Sequence, residues 1–341
     1  MRYLVLLALW VLPMLAHAQD WEDQRMFGVD SSPTMRIISS TDTSFFAPII
    51  ESFLAERPDV SIEYLVTGTA DLDQIFRASP AEFDVVISSA MDLQLKLAND
   101  GFAQRIDDIT HPAWAQWRQS LFAFTTEPAT IVINKAAFAG QDVPRTRLEL
   151  IQALRADPDR FRGRVGTYDV RQSGLGYLFA TQDARASESF WRLTEVMGSL
   201  DARLYCCSGE MIDDLADGTI AVAYNVLGSY AQARQDTRDK LEVILPSDFP
   251  TTMMRTAFVS RDTLQPQTAA DFIRHLTIAQ SQGADLASFP LPPLITELDA
   301  AGRSRIALEP ALMTYLDRLK RRTFMREWES AIIQSPSAPS Q

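Results

Sequence analysis

The chain has 341 residues, 46% hydrophobic and 22% charged, with a net charge of −12, enough for a large core and more than one domain of about 100 to 200 residues. Its basic residues are scattered except for Arg318-Leu-Lys-Arg-Arg322, which reads as the solvated side of a helix, so nucleic acid is excluded as a partner for want of a clustered basic face. Beyond the leader the histidines are His111 and His275, in no metal-ligand spacing, so neither a histidine-based metal site nor a cofactor is expected.

Residues 1–18 read as a secretory leader. Arg2 supplies the positive start, Tyr3 to Leu15 the apolar run, and Ala16-His17-Ala18 the small residues of a cleavage site. The mature chain is then expected to begin at Gln19, outside the cytoplasm; the alternative is an uncleaved anchor. No Cys follows the run to carry a lipid, and no later run reaches the roughly 20 apolar residues of a membrane-spanning helix.

After an N-terminal extension, 19–34, short apolar strands alternate with amphipathic helices. Arg36 to Ser39 reads as a strand, and Phe45, Phe46, Ile49, Ile50, Phe53 and Leu54 recur at helical spacing until Pro58. Strands are predicted at Val60 to Val66 and Phe83 to Ser88, with helices at Asp71 to Ala78 and Asp92 to Asn99, the last closed by Gly101. This order implies a mostly parallel sheet with helices on both faces. An alternating stretch, Leu121 to Lys135, leads to a second set: a strand at Arg164 to Tyr168, a long helical region from Leu175 to Leu200, a short helix at Ile212 to Asp217, and strands at Thr219 to Asn225 and Leu241 to Leu245. Arg255 to Ser260 reads as a strand returning to the first sheet, followed by helices at Ala269 to Gln282 and Pro310 to Ile333 and a disordered Ser/Pro tail, 335–341.

Two α/β lobes follow from this layout. One is expected over 35–130 and 255–334, its C-terminal helices able to pack on the other lobe as well, and the second over 131–254. Two crossings, near Thr126 to Asn134 and Pro246 to Arg255, would act as hinges, since neither is a low-complexity tether.

In such sheets the functional loops sit at the carboxyl ends of the strands. Here those junctions are rich in hydroxyls, Gly and Asp: Ser39, Ser40, Thr41 and Asp42 after one strand, Thr67-Gly-Thr69 after the next, and Ser88 and Ser89 after the third. In the second set they are Thr167, Tyr168, Arg171 and Ser173, then Ser208, then Tyr224 and Asn225. Helix N-termini with nearby hydroxyls suit an anion, although each such residue alone is an ordinary cap. Arg171 is placed to grip a carboxylate or phosphate bidentately, or to pair at the surface with Asp169 or Asp183. Cys206-Cys207 is open to two readings, a vicinal disulfide or two thiols. Gly-x-Ser-x-Gly, phosphate-loop, zinc-protease and dinucleotide motifs are absent, so no catalytic residue is assigned and an exported hydrolase is disfavoured.

The stretches Ile37 to Ser44, Phe83 to Ser89, Glu127 to Lys135, Gly218 to Asn225 and Pro246 to Ser260 resemble, in order, the periplasmic solute-binding proteins of ATP-driven importers, in the iron(III)-transport-like cluster. The resemblance implies a two-lobed type II, Venus-flytrap fold with two hinge crossings. It also implies a monomer in the periplasm that closes on a small molecule and passes it to an inner-membrane ABC permease. Iron-binding members carry adjacent tyrosines where this chain has Tyr224-Asn225, so direct ferric binding is not expected. Similar receptors take sugar phosphates and related organic anions, which fits Arg171 and the hydroxyl-rich junctions. Other readings kept open are a ligand-sensing partner of a membrane histidine kinase, and a ferric-ion or polyamine receptor of the same fold.

Overall fold

The computed structural model describes residues 21–29, 33–281, 289–295 and 305–334. The expected leader and the expected tail lie outside the described residues. In chain order the elements are β1 (Asp23–Phe27), β2 (Thr34–Ser39), α1 (Thr43–Glu56), β3 (Ser61–Val66), α2 (Thr69–Ala78), β4 (Val85–Ser88), α3 (Met91–Asn99), β5 (Gln116–Trp117), β6 (Leu121–Ala123), β7 (Glu127–Asn134), α4 (Arg147–Ala156) and α5 (Pro158–Phe161). They continue with β8 (Val165–Tyr168), α6 (Gly174–Ala186), α7 (Ser189–Ser199), β9 (Arg203–Tyr205), α8 (Ser208–Ala216), β10 (Val222–Leu227), α9 (Gly228–Ala233), β11 (Leu241–Ile244), β12 (Thr252–Met253), β13 (Thr256–Val259), α10 (Pro266–Ser281) and α11 (Arg318–Ile332).

These strands form two sheets. The first runs β1-β3-β2-β4-β13-β6-β5, the second β11-β7-β10-β8-β9, with β12 on the edge of β7. At the heart of each the pairing is parallel: β2 lies between β3 and β4, and β8 between β10 and β9. The returning strand β13 pairs antiparallel with β4, Thr256 opposite Ser88. The chain thus leaves the first sheet between β6 and β7 and re-enters it between β12 and β13.

Both faces of β2 are buried, as a parallel strand sandwiched by helices requires. Met35 and Ile37 pack with Phe46, Ile50 and Phe53 of α1 and Phe272 and Ile273 of α10. Ile38, with Leu65 and Val86, joins a cluster that takes in Met91 and Leu95 of α3 and, from the second lobe, Leu175 and Leu178 of α6. A further core holds Ile131, Val165 and Val222 against Leu150 and Leu154 of α4, Leu193 of α7, and Phe324, Trp328 and Ile332 of α11. The last helix of the chain therefore packs on the second lobe, whereas α10 packs on the first.

Besides short elements that were not read, among them α5, β9, α9 and β12, four local features depart from the sequence reading, each for a stated reason. The expected helix over Leu175 to Leu200 breaks at Ser187, whose backbone is extended (φ −159°, ψ 143°) and whose hydroxyl accepts from the Ser189 amide, restarting the helix. Pro310 to Ile333 is a 3₁₀ segment, Pro310–Leu316, and then α11, because the Asp317 carboxylate accepts from the Leu319 and Lys320 amides and starts a new helix. Strand β1 falls in the expected extension; its exposed face gave no alternation to read. Helix α4 also went unassigned, although Thr146-x-x-Glu149 is a capping sequence and Thr146 does accept from the Glu149 amide at 3.1 Å.

Candidate functional site

The parallel strands of both sheets deliver their carboxyl ends, and the helices that follow them, to one cleft between the lobes. Of the helices that start there, α1, α2, α3 and α8 have no side-chain cap hydrogen bond at their N-termini. At α1, α2 and α8 the first turn presents amides and roughly half a positive charge, whereas at α3 the Met91 amide donates to the Ser89 carbonyl and the Asp92 and Leu93 amides serve the Asp92 carboxylate. Helix α6 differs, since Ser173 accepts from the Gly176 amide at 3.0 Å. From the opposite lobe the Thr69 hydroxyl accepts from the Gly174 and Leu175 amides at 2.8 and 3.2 Å. The lobes are therefore in direct contact, and the space left between them is a cavity of about 40 Å³.

Ser40, Asp42, Thr69 and Ser89 from the first lobe, and Tyr168, Ser173, Ser208 and Tyr230 from the second, line this cavity. Cys206 and Cys207, joined in a vicinal disulfide just before α8, line it too. Arg255 closes the floor. Its guanidinium, 1% exposed, donates to both Glu127 oxygens at 2.6 and 3.2 Å and to the Thr41 hydroxyl at 2.6 Å. Glu127 also accepts from Thr125 at 2.9 Å and Ser229 at 2.7 Å. As Glu127 opens β7 and Arg255 precedes β13, this buried pair ties the two crossings together beneath the cleft.

The electrostatics are mixed. Burial is the largest cause that raises the Asp42 carboxyl, with Arg255 opposing it. Glu22 at the rim is likewise raised, first by burial and then by Asp42, Asp71 and Glu210. Tyr168 donates to or accepts from Ser208 at 2.5 Å, and burial holds its phenol above the usual range. No nucleophile with an adjacent general base lies among these groups. The arrangement offers donors and one cation, which is the equipment of binding.

The sequence-nominated residues separate into three groups. Ser40, Asp42, Ser89, Tyr168, Ser173 and Ser208 line the cavity. Ser39, Thr41 and Ser88 lie directly beneath it and hold the loops: Ser39 accepts from the Thr41 amide and from the Tyr64 phenol, and Ser88 accepts from Ser40 and from the Ala90 amide. The rest face elsewhere. Thr167 donates to the Tyr224 carbonyl at 3.4 Å. Arg171 is locked bidentately on Asp169 at 2.8 and 2.6 Å, over the Trp328 ring. Tyr224 and Asn225 both donate to Asp183, at 2.6 and 2.7 Å, in a buried network with Arg147 and Thr251 behind the second sheet.

Sequence reading missed Arg255, Glu127 and Glu22, whereas the Thr67-Gly-Thr69 junction it singled out does line the cavity. A signal existed for the first two: opposite charges placed in two segments read as crossings, each flanked by residues destined for burial. Glu22 gave none, lying in a stretch without periodicity.

A family model described as bacterial extracellular solute-binding protein matches residues 38–196. Among solved structures, the substrate-binding protein of an ABC transporter from Agrobacterium tumefaciens is 28% identical, with a TM-score of 0.82 over 91% of this chain and 98% of that one. Iron-bound HitA from Pseudomonas aeruginosa (13% identity, TM-score 0.65, 88% and 99% coverage) shares the fold. So does AfuA from Actinobacillus pleuropneumoniae, solved with fructose-6-phosphate (13%, 0.68, 89% and 99%). No curated protein sequence matches the chain. Among the described residues no helix is long and apolar enough to cross a membrane. Two lobes with a shared cleft, the family model and the Agrobacterium relative together show a type II periplasmic binding-protein fold and a chain similar to the extracellular solute-binding proteins of ABC transporters.

Proposed function

We propose that this protein captures a compact organic or phosphorylated anion between its lobes in the periplasm and delivers it, as a monomer, to an inner-membrane ABC permease. The observation that carries the reading is the convergence of three helix N-termini without side-chain caps, those of α1 and α2 from one lobe and α8 from the other, on one cleft floored by Arg255. Such donors need no reorganisation when an anion arrives. Ser40, Ser89, Tyr168 and Ser208 would complete the cage. A cavity of about 40 Å³ corresponds to about three water sites. This size favours a small oxyanion or short carboxylate in the closed form; a sugar phosphate, as in AfuA, needs the lobes further apart. Arg171, bound to Asp169, contributes nothing to the cage in this reading.

One observation favours a second ligand class. Burial first, and then the rim carboxylates Asp42, Asp71 and Glu210, raise the proton affinity of Glu22, and such a cluster of acids would suit a polyamine or other cation. Transport rather than sensing is favoured by the ABC-transporter relative; a histidine-kinase partner is the alternative. A thermal-shift screen of phosphate, short carboxylates, sugar phosphates, polyamines and ferric citrate decides between the ligand classes. Stabilisation by an anion, lost in the paired variant Glu127→Met/Arg255→Met, supports the proposal, and stabilisation by polyamines alone overturns it.

A further inference from the structure

We propose that closure of the two lobes is coupled to uptake of a proton by Asp92, so that the closed form is favoured by acid whichever solute is bound. Asp92 is on the second residue of α3, at the seam where α3 meets α6 of the other lobe. It is 2% exposed and its Oδ1 has no hydrogen-bond partner; Gln94, at 0%, has neither amide atom partnered. Such burial of polar atoms without partners is costly, and water relieves it once the lobes part. The seam is tight: a Cβ added to Gly174 of α6 would lie 3.0 Å from Leu93 and 3.2 Å from Ala90.

The groups facing Asp92 do not balance a negative charge there. Asp73 of α2 repels it and Tyr177 of α6 senses it. The Tyr177 phenol is committed to the Tyr315 carbonyl at 2.6 Å. Among the described residues Arg321 of α11 is the cation that opposes this repulsion, and its guanidinium lies 5.0 Å from the Tyr177 ring centre rather than in contact with the carboxylate. Strands β6 and β13 beneath the helix contribute Leu-Phe-Ala and Thr-Ala-Phe-Val, with no titratable side chain, and the 3₁₀ segment Pro310–Leu316 packed against α3 adds the phenol of Tyr315 and no charged group. Backbone amides at Asp92 and Leu93 favour the anion, yet burial outweighs them and pushes the carboxyl from 3.8 up to about 7. The sign follows from this. The open form carries an ordinary, ionised carboxylate at neutral pH and the closed form the neutral acid, so closure is favoured most below 3.8 and the advantage is lost as pH rises through about 7.

The test is small-angle scattering of the purified, ligand-free protein across pH 6 to 8. One proton bound in the closed form with an affinity near pH 7 lowers the closed-to-open ratio by about tenfold over that interval. Asp92→Asn, which keeps the shape but cannot ionise, is expected to remain closed with no pH slope, although Glu22, Asp42, His111 and His275 still titrate. Arg321→Gln, which removes the opposing cation, should move the wild-type midpoint to higher pH. A wild-type protein without a slope, an equal slope in Asp92→Asn, or an unmoved midpoint in Arg321→Gln would each overturn the coupling; the last applies even where Asp92→Asn does not fold.

Discussion

Replacing Glu127 by Gln tests the floor of the cleft. The carboxylate and Arg255 are each 1% exposed and meet through two hydrogen bonds of 2.6 and 3.2 Å. A Gln keeps the shape, and its amide oxygen retains one acceptor for the guanidinium or for Thr125, but it leaves a buried cation with no opposing charge within contact. The cost expected for orphaning one member of a buried pair is about 3–5 kcal/mol, whereas an exposed pair such as Arg57 with Asp59 is screened by solvent and contributes little. Denaturant unfolding, read from the midpoint at unchanged slope, measures it directly. Converting both residues to Met removes the orphan as well as the pair and should restore most of the stability, while abolishing the anion response. A loss in Glu127→Gln of under about 1 kcal/mol would refute the reasoning, because water would then have to reach Arg255 and the floor would not be sealed.

Thr69→Ala strips the interlobe acceptor from the Gly174 and Leu175 amides. At about 1–3 kcal/mol for buried donors left unpaired, the closed-to-open ratio should fall between about 5- and 150-fold, visible as a larger radius of gyration. Gly198→Ala would set a Cβ 2.3 Å from the Ala331 carbonyl of α11; about 1–3 kcal/mol of overpacking should appear as faster proteolysis of the C-terminal helix. Reducing Cys206–Cys207 opens a ring between neighbours, so global stability should change by only about 1 kcal/mol. Affinity for the ligand should move further, since both cysteines line the cavity. Arg171→Ala should leave anion affinity unchanged, its guanidinium being spent on Asp169.

How much of this was legible in the sequence depended on range. Buried parallel strands announce themselves as apolar runs, so β2, β4 and β8 were found with their following loops, and with them five of the six nominated residues that line the cavity; the sixth, Ser208, follows the short strand β9, which was not read. The returning strand was found for the same reason. What the sequence did not give away was direction. Arg171 and Tyr224 sit at the expected strand ends, but Asp169 holds the first outward and Asp183 holds the second behind its sheet; neither acid was distinguishable beforehand from a helix cap or a surface charge. Arg255 and Glu127, 128 residues apart, become one feature only when two sheets bring both crossings together. Asp92, read as the start of a helix, is a buried acid at a seam between lobes.

The account rests on an anion closed between helix N-termini, and native mass spectrometry of the protein purified without refolding tests this most directly. One small anion per chain, released by Glu127→Met/Arg255→Met, is the predicted result. A bound cation, or an anion retained by that variant, would contradict it.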